Sequence, residues 1–168
     1  MFFLTIPSPV GELTLAAHER GLVAVYFAEH KHAPEPTARR PWLPDDGANS
    51  ASPTLRAARE QLTAYFAGER TAFDLPLAPE GTPFQQTVWA ELRRIPFGEL
   101  TSYGALARRL GNPNATRAVG AANGRNPLSI VVPCHRVVGA DGSLTGFGGG
   151  IERKRWLIAH EARVSARR

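Results

Sequence analysis

A single cysteine in 168 residues excludes an internal disulfide, so a reducing, cytoplasmic setting is expected. No apolar run approaches about 18 residues, which excludes a membrane-spanning helix and makes a membrane an unexpected partner. The apolar start, MFFLTIPSPVGEL, has no basic segment before it and is interrupted by proline after six residues, so it does not read as a secretory signal. Disorder is excluded by composition, with 43% hydrophobic and 21% charged residues. Lysine is scarce: eighteen of the twenty basic residues are arginines.

The charge is divided unevenly along the chain. Residues 1–78 carry seven Lys/Arg against nine Asp/Glu, a net of −2, whereas residues 79–168 carry thirteen against six, a net of +7. A basic half joined to a slightly acidic half fits nucleic-acid binding confined to one region, and equally fits an arginine-rich solubilising surface.

The same division appears in the pattern of elements. The stretch FFLTIPSPVGELTLAAHERGLVAVYFAE holds three β-rich runs separated by turn signals, which predicts an antiparallel hairpin or meander. Residues 31–53 contain five prolines and almost no periodicity, and read as a long exposed loop. A helix follows, with Ser52 as its N-cap, Pro53 at its first position, a stripe of Leu55, Ala58, Leu62, Tyr65 and Phe66, and Gly68 closing it. Residues 71–81 form an extended linker. A second helix runs from about Pro83 to Arg94 with Phe84, Val88, Trp89 and Leu92 on one side. TSYGALARRLGNPNATRAVGAANGRNP then reads as helix, turn, helix: Thr101 or Ser102 caps the first, and the second spans about Ala115 to Ala122. Such a pair is either a helix-turn-helix or an ordinary helical hairpin. Its second helix is built of small residues with only Arg117 long, which makes it a poor reader of major-groove base edges but allows close approach to a narrow groove. The division is therefore into 1–78 and 79–168.

The lone cysteine lies in IVVPCHRVVG. LSIVV has strand character and ends at Pro133, leaving Cys134 at a strand end beside His135 and Arg136. A thiol is a nucleophile only as thiolate, and a neighbouring base or positive site promotes that form. In extended chain adjacent side chains point apart, so His135 needs a turn or a bridging water to take the thiol proton. A lone cysteine can also be a small buried apolar residue. Downstream, Gly146 to Gly150 with Phe147 inside them can bring backbone N–H groups close to a flat ligand. The Gly-Lys-Ser/Thr ending of a phosphate loop is absent. A final helix, about Ile151 to Ala162, carries His160 and Glu161, and Glu161 can orient a histidine in a Cys–His–Glu relay or simply be solvated.

Taken together, VVPCHRVVG, preceded by SYGALA and NATRAVGAANGRNP and followed by GFGGG and WLIAHE, resembles the O6-alkylguanine-DNA alkyltransferases nearly continuously from Thr82 to Glu161. The resemblance implies an α+β fold, with an N-terminal ribonuclease-H-like domain of sheet and helix and a C-terminal, mostly helical, winged helix-turn-helix-like domain. It implies a methylated-DNA–protein-cysteine S-methyltransferase acting once per molecule on double-stranded DNA that contains alkylated guanine, with O4-alkylthymine a further possible substrate. No cofactor and no obligate protein partner are implied. Cys134 is then the alkyl acceptor, His135 its base through a water, Glu161 the group orienting His135, and Asn126 the brace of the cysteine turn. Arg117 fills the gap left by a flipped nucleotide, and Tyr103 crowds the target phosphate and bonds the base. Thr116, Ala118, Ala121 and Arg125 lie with Arg117 against DNA. Backbone groups of Cys134, Val137 and Gly148 hold the guanine, with Phe147 on its face. Some members bind zinc in the N-terminal domain; here that half has no cysteine, and His18, His30 and His32 make a poor tetrahedral set, so no metal is expected.

Two other functions are compatible with parts of this pattern. A non-enzymatic helix-turn-helix or lesion-recognition protein would bind DNA independently of Cys134. A cysteine hydrolase would turn over esters or amides, although its catalytic pair ordinarily meets from distant parts of a chain.

Overall fold

The computed structural model describes residues 1–33 and 35–168; Pro34, inside the expected loop 31–53, lies outside the described residues. The first three β-rich runs form the expected meander. β1 (Phe2–Ile6) pairs antiparallel with β2 (Leu13–His18), and β2 with β3 (Gly21–Phe27), in a register that sets Leu4 opposite Leu15 and Leu15 opposite Val25. β2 and β3 are buried almost throughout: one side of the sheet faces α1, and on the other Trp42 of the proline-rich segment lies against Phe3 and Tyr26. β4 (Leu43–Pro44) adds in parallel to the other edge of β1, giving the order β3-β2-β1-β4. The proline-rich segment is thus exposed for most of its length, as its composition predicts, but it is not wholly irregular.

α1 (Ser52–Phe66) lays Leu55, Ala58, Leu62 and Tyr65 against the sheet, and each fully buried leucine contributes about 1.5–3 kcal/mol. Ser52 is not the N-cap expected for it. Ala51 holds that position without a side-chain bond, because the Ser52 hydroxyl is committed to Asp45, and Asn49 accepts from the Ala51 N–H instead. Gly68, with φ +76°, stops the helix as expected.

The linker docks on the sheet. Leu22 N–H donates to the Pro76 carbonyl and Ala78 N–H donates to the Leu22 carbonyl, both at 2.8 Å. Gly21 is required beside this contact: a Cβ there would meet the Pro76 carbonyl oxygen at 2.6 Å.

In the second half, α2 (Pro83–Leu92) starts with a reciprocal cap between Thr82 and Gln85 and buries Val88, Trp89 and Leu92. Phe84, expected on the same stripe, is 40% exposed, because the first turn of α2 precedes the buried part of the helix. β5 (Thr101–Ser102) leads into α3 (Tyr103–Arg109), whose Ala105 N–H is capped by Ser102 at 3.0 Å. α4 (Thr116–Gly124) packs on α2 through the Trp89 indole N–H, which donates to the Ala122 carbonyl at 2.9 Å. β6 (Val137–Val138) pairs in parallel with β5, and α5 (Ile151–Ser165), one turn longer than expected, closes the chain.

LSIVV is not a strand. Leu128 makes a single bridge to Val25, after which Val131 N–H bonds the Ser129 carbonyl and Val132 N–H the Leu128 carbonyl, closing a tight turn. Ile130 takes φ +73°, a conformation that strains a β-branched residue. The segment is apolar because it is enclosed on all sides: Leu128, Ile130 and Val132 are at most 1% exposed. Apolar composition alone cannot separate a buried turn from a buried strand. No helix among the described residues is long and apolar enough to cross a membrane.

Candidate active site

Asn126 makes the turn that carries the cysteine. Its Nδ2 donates to the Val132 carbonyl at 2.8 Å and its Oδ1 accepts from Leu128 N–H at 3.0 Å, so one amide ties both ends of the turn. The chain then enters a single 3₁₀ turn, Cys134–Arg136. That turn replaces the extended geometry in which Cys134 and His135 would diverge, and all three of its side chains are buried.

His135 is completely buried, and its Nε2 meets Glu161 Oε2 at 2.6 Å. Glu161 is only 2% exposed, so it is no solvated helix-end carboxylate. Its Oε1 accepts from Arg136 Nε at 2.8 Å and from Gly98 N–H at 3.1 Å. Its Oε2 accepts from Arg136 Nη2 at 3.1 Å and from the Tyr65 hydroxyl at 2.7 Å. Burial opposes its ionisation, but the bonds and charges of His135 and Arg136 outweigh that and hold the carboxyl well below its ordinary range. An ionised carboxylate can only accept, so Nε2 of His135 carries the proton. His135 Nδ1 makes no hydrogen bond among the described residues and keeps the lone pair of the neutral ring. Burial holds the ring neutral by lowering its proton affinity, against the pull of Glu161.

Cys134 is 2% exposed, and burial raises its pKa, so the thiol is protonated at rest. The Asn126 amide, the charge of Lys154 and the backbone N–H groups of Cys134 and His135 oppose burial. Lys154 is fully buried on α5, with Nζ donating to the carbonyls of Val137 at 2.5 Å and Thr145 at 2.7 Å. Desolvation lowers its pKa to about 8. Tyr103 donates its hydroxyl to the Thr145 carbonyl at 2.7 Å and lies against Gly120 of α4. The site therefore holds an acid–base pair with fixed tautomer, a neutral thiol and a buried cation. That combination can generate a thiolate transiently and stabilise it.

Of the six residues expected at DNA, five lie exposed on α4 or at its C-cap, and Tyr103 is half-buried on α3. Thr116, Arg117, Ala118, Ala121 and Arg125 are exposed along α4, while Val119, Ala122 and Asn123 turn inward. A cavity of about 420 Å³ lies between this helix and the glycine loop, with Gly120, Ala121, Gly124, Arg125, Phe147 and Gly148 among its walls. Phe147 packs at 5.6 Å on Phe27, and the Gly148 carbonyl accepts Lys31 N–H at 2.8 Å, so the first half of the chain supports the loop from behind. Among the described residues, no three His, Cys, Asp or Glu side chains are grouped as metal ligands.

Sequence reasoning missed Tyr65, Asn123, Lys154 and the ion pair of Arg136. Lys154 left a readable signal: it shares the buried face of α5 with Leu157, Glu161 and Val164, and a charge on an apolar stripe asks for partners. Tyr65 left none, since an aromatic on α1 reads as core.

Residues 1–79 match the family model for the ribonuclease-like domain of 6-O-methylguanine DNA methyltransferase, and residues 83–163 that for its DNA binding domain. Over 159 residues the chain is 52% identical to the methylated-DNA–protein-cysteine methyltransferase of Mycobacterium tuberculosis strain H37Rv, covering 95% of this chain and 91% of the relative. The enzyme of the same name from Methanosarcina acetivorans is 47% identical over 161 residues, covering 96% and 98%. A crystal structure of Mycobacterium tuberculosis OGT in complex with DNA superposes with a TM-score of 0.88 at 50% identity, covering 98% of this chain and 94% of that one.

Proposed function

This chain belongs to the 6-O-methylguanine DNA methyltransferase family, and from that premise we propose that it repairs DNA by direct reversal, moving the alkyl group of O6-alkylguanine to Cys134. The observation that carries the assignment of the acceptor is the buried His135–Glu161 pair, whose tautomer leaves Nδ1 as a base on the residue directly after the only cysteine.

The chemistry follows from the charges. The target atom lies inside the duplex, so the nucleotide is first extruded. Arg117 of α4 fills the gap and Tyr103 crowds the phosphate, while Thr116, Ala118, Ala121 and Arg125 follow the backbone. The cavity beside α4, with Phe147 and Gly148 among its walls, supports entry of the base there, and in this reading backbone groups of Cys134 and Val137 complete its contacts. The Cys134 proton passes through a water to Nδ1 of His135, and Glu161 stabilises the imidazolium. Sulfur then attacks the sp³ alkyl carbon. A C–S bond forms as the C–O6 bond breaks, its electron pair leaves with the base, and a proton restores neutral guanine. The thioether has no easy hydrolytic route, so each molecule acts once. A reducing compartment, the cytoplasm, belongs to this reading because an oxidised sulfur could not attack. So does a functional division near residue 78, which the family matches to 1–79 and 83–163 support.

The test is the intact mass of the protein after mixing with an equimolar duplex carrying one O6-methylguanine. One added methylene unit, mapped to the Cys134 peptide and saturating at one equivalent, is expected. Tight binding without added mass would leave a recognition protein. Cys134→Ala should abolish the mass gain while retaining DNA binding.

A further inference from the structure

Asn123 bonds two groups of the proposed alkyl-transfer site, the carbonyls of Cys134 and Gly146, without a role in the steps above. It occupies the inward face of α4 and is 1% exposed. Its Nδ2 donates to the Cys134 carbonyl at 3.4 Å and to the Gly146 carbonyl at 3.5 Å. Both partners are carbonyl oxygens, which fixes the amide orientation, because only the NH₂ end can bond them. Its Oδ1 is buried and has no donor among the described residues. The amide also borders the Tyr103 hydroxyl, where it acts to lower a pKa that burial raises.

A buried acceptor without a partner is an unfavourable arrangement that proteins rarely keep without use. Cys134, Tyr103 and the glycine loop are the groups proposed above to surround the base. O6-alkylguanine is poor in donors. Alkylation at O6 removes the N1 proton, so N1, N3 and N7 all accept and the exocyclic 2-amino group is the one donor on the ring.

Building on the alkyl-transfer reading, we propose that Oδ1 of Asn123 accepts a hydrogen bond from the 2-amino group of the extruded base and makes the site selective for guanine over purines lacking that amine. The bond to Gly146, the longest that Asn123 makes, yields as the base enters between α4 and the glycine loop, whereas the bond to Cys134 keeps the amide in place. A site with a dedicated acceptor rejects a ligand that cannot satisfy it far more strongly than an apolar wall does.

The test compares single-turnover methylation of Cys134 by two duplexes, one with O6-methylguanine and one with O6-methylhypoxanthine, which lacks only the 2-amino group. The wild type should react with the second about tenfold more slowly or worse. Asn123→Leu, of nearly the same shape and without an acceptor, should bring the ratio of the two rates close to one. A purely structural role would slow both substrates equally and leave the ratio unchanged, and that result overturns the inference. So does a wild-type ratio near one, whatever the variants do. Asn123→Ala serves where thermal unfolding shows the leucine variant unfolded. A wild type that transfers from neither duplex would instead refute alkyl transfer itself, independently of Asn123.

Discussion

Glu161 is the acceptor of five hydrogen bonds, and its removal is the most informative single change outside the thiol. In Glu161→Gln the Arg136 guanidinium stays buried without its counter-charge, a loss of about 3–5 kcal/mol that urea unfolding at neutral pH would read. The pH dependence follows from the same carboxylate. Its folded pKa lies below the ordinary 4.5, so it stabilises the fold above that value, and the contribution fades as pH falls toward the folded pKa. The acid limb of stability should therefore be steep in the wild type and shallow in the variant. Cys134 shifts the other way. Because burial holds the thiol protonated above its ordinary 9.0, iodoacetamide should modify it more slowly at neutral pH than it modifies free cysteine. Equal rates would show that the resting site already holds thiolate. This opposition between a protonated sulfur and a poised base was not legible in the sequence. Adjacent Cys and His were visible; the 3₁₀ turn that reconciles them, and the burial that sets both proton affinities, arise from Asn126 and from elements far along the chain.

α4 shows how much an element's composition can disclose. Its small residues and single long side chain predict a close-packing surface, and the helix is exposed along Thr116, Arg117, Ala118 and Ala121 as that pattern requires. If Arg117 fills the space of a flipped nucleotide, Arg117→Ala should slow repair of duplex lesions by on the order of tenfold or more, while sparing attack on free O6-benzylguanine. Equal losses on both would assign Arg117 to the fold or to the chemistry. The meander and α1 were equally readable, because turn residues and a buried stripe mark them locally. LSIVV was not, since its pattern describes burial and its shape is set by the Asn126 side chain. The cap of α1 was missed for a related reason: the Ser52 hydroxyl is drawn away by Asp45, seven residues earlier, a contact that no local rule anticipates.

At the level of the whole molecule the net +7 of residues 79–168 predicts strongly salt-dependent DNA binding. The logarithm of affinity should fall linearly with the logarithm of salt, by about 0.9 for each phosphate neutralised. A flat response in a filter or anisotropy titration would mean that the arginines serve solubility alone. The halves are also joined along the outer edge of β3, where Leu22 bonds Pro76 and Ala78 while Val25 bonds Pro127 and Ser129. An unoccupied strand edge is a template on which another chain can add, the usual first step of β-aggregation. Here that template is filled by the protein's own linker and by the segment leading to the cysteine turn. If each molecule is spent on one lesion, as proposed above, many idle copies must be held in reserve, and occupying this edge lets those copies accumulate without seeding one another.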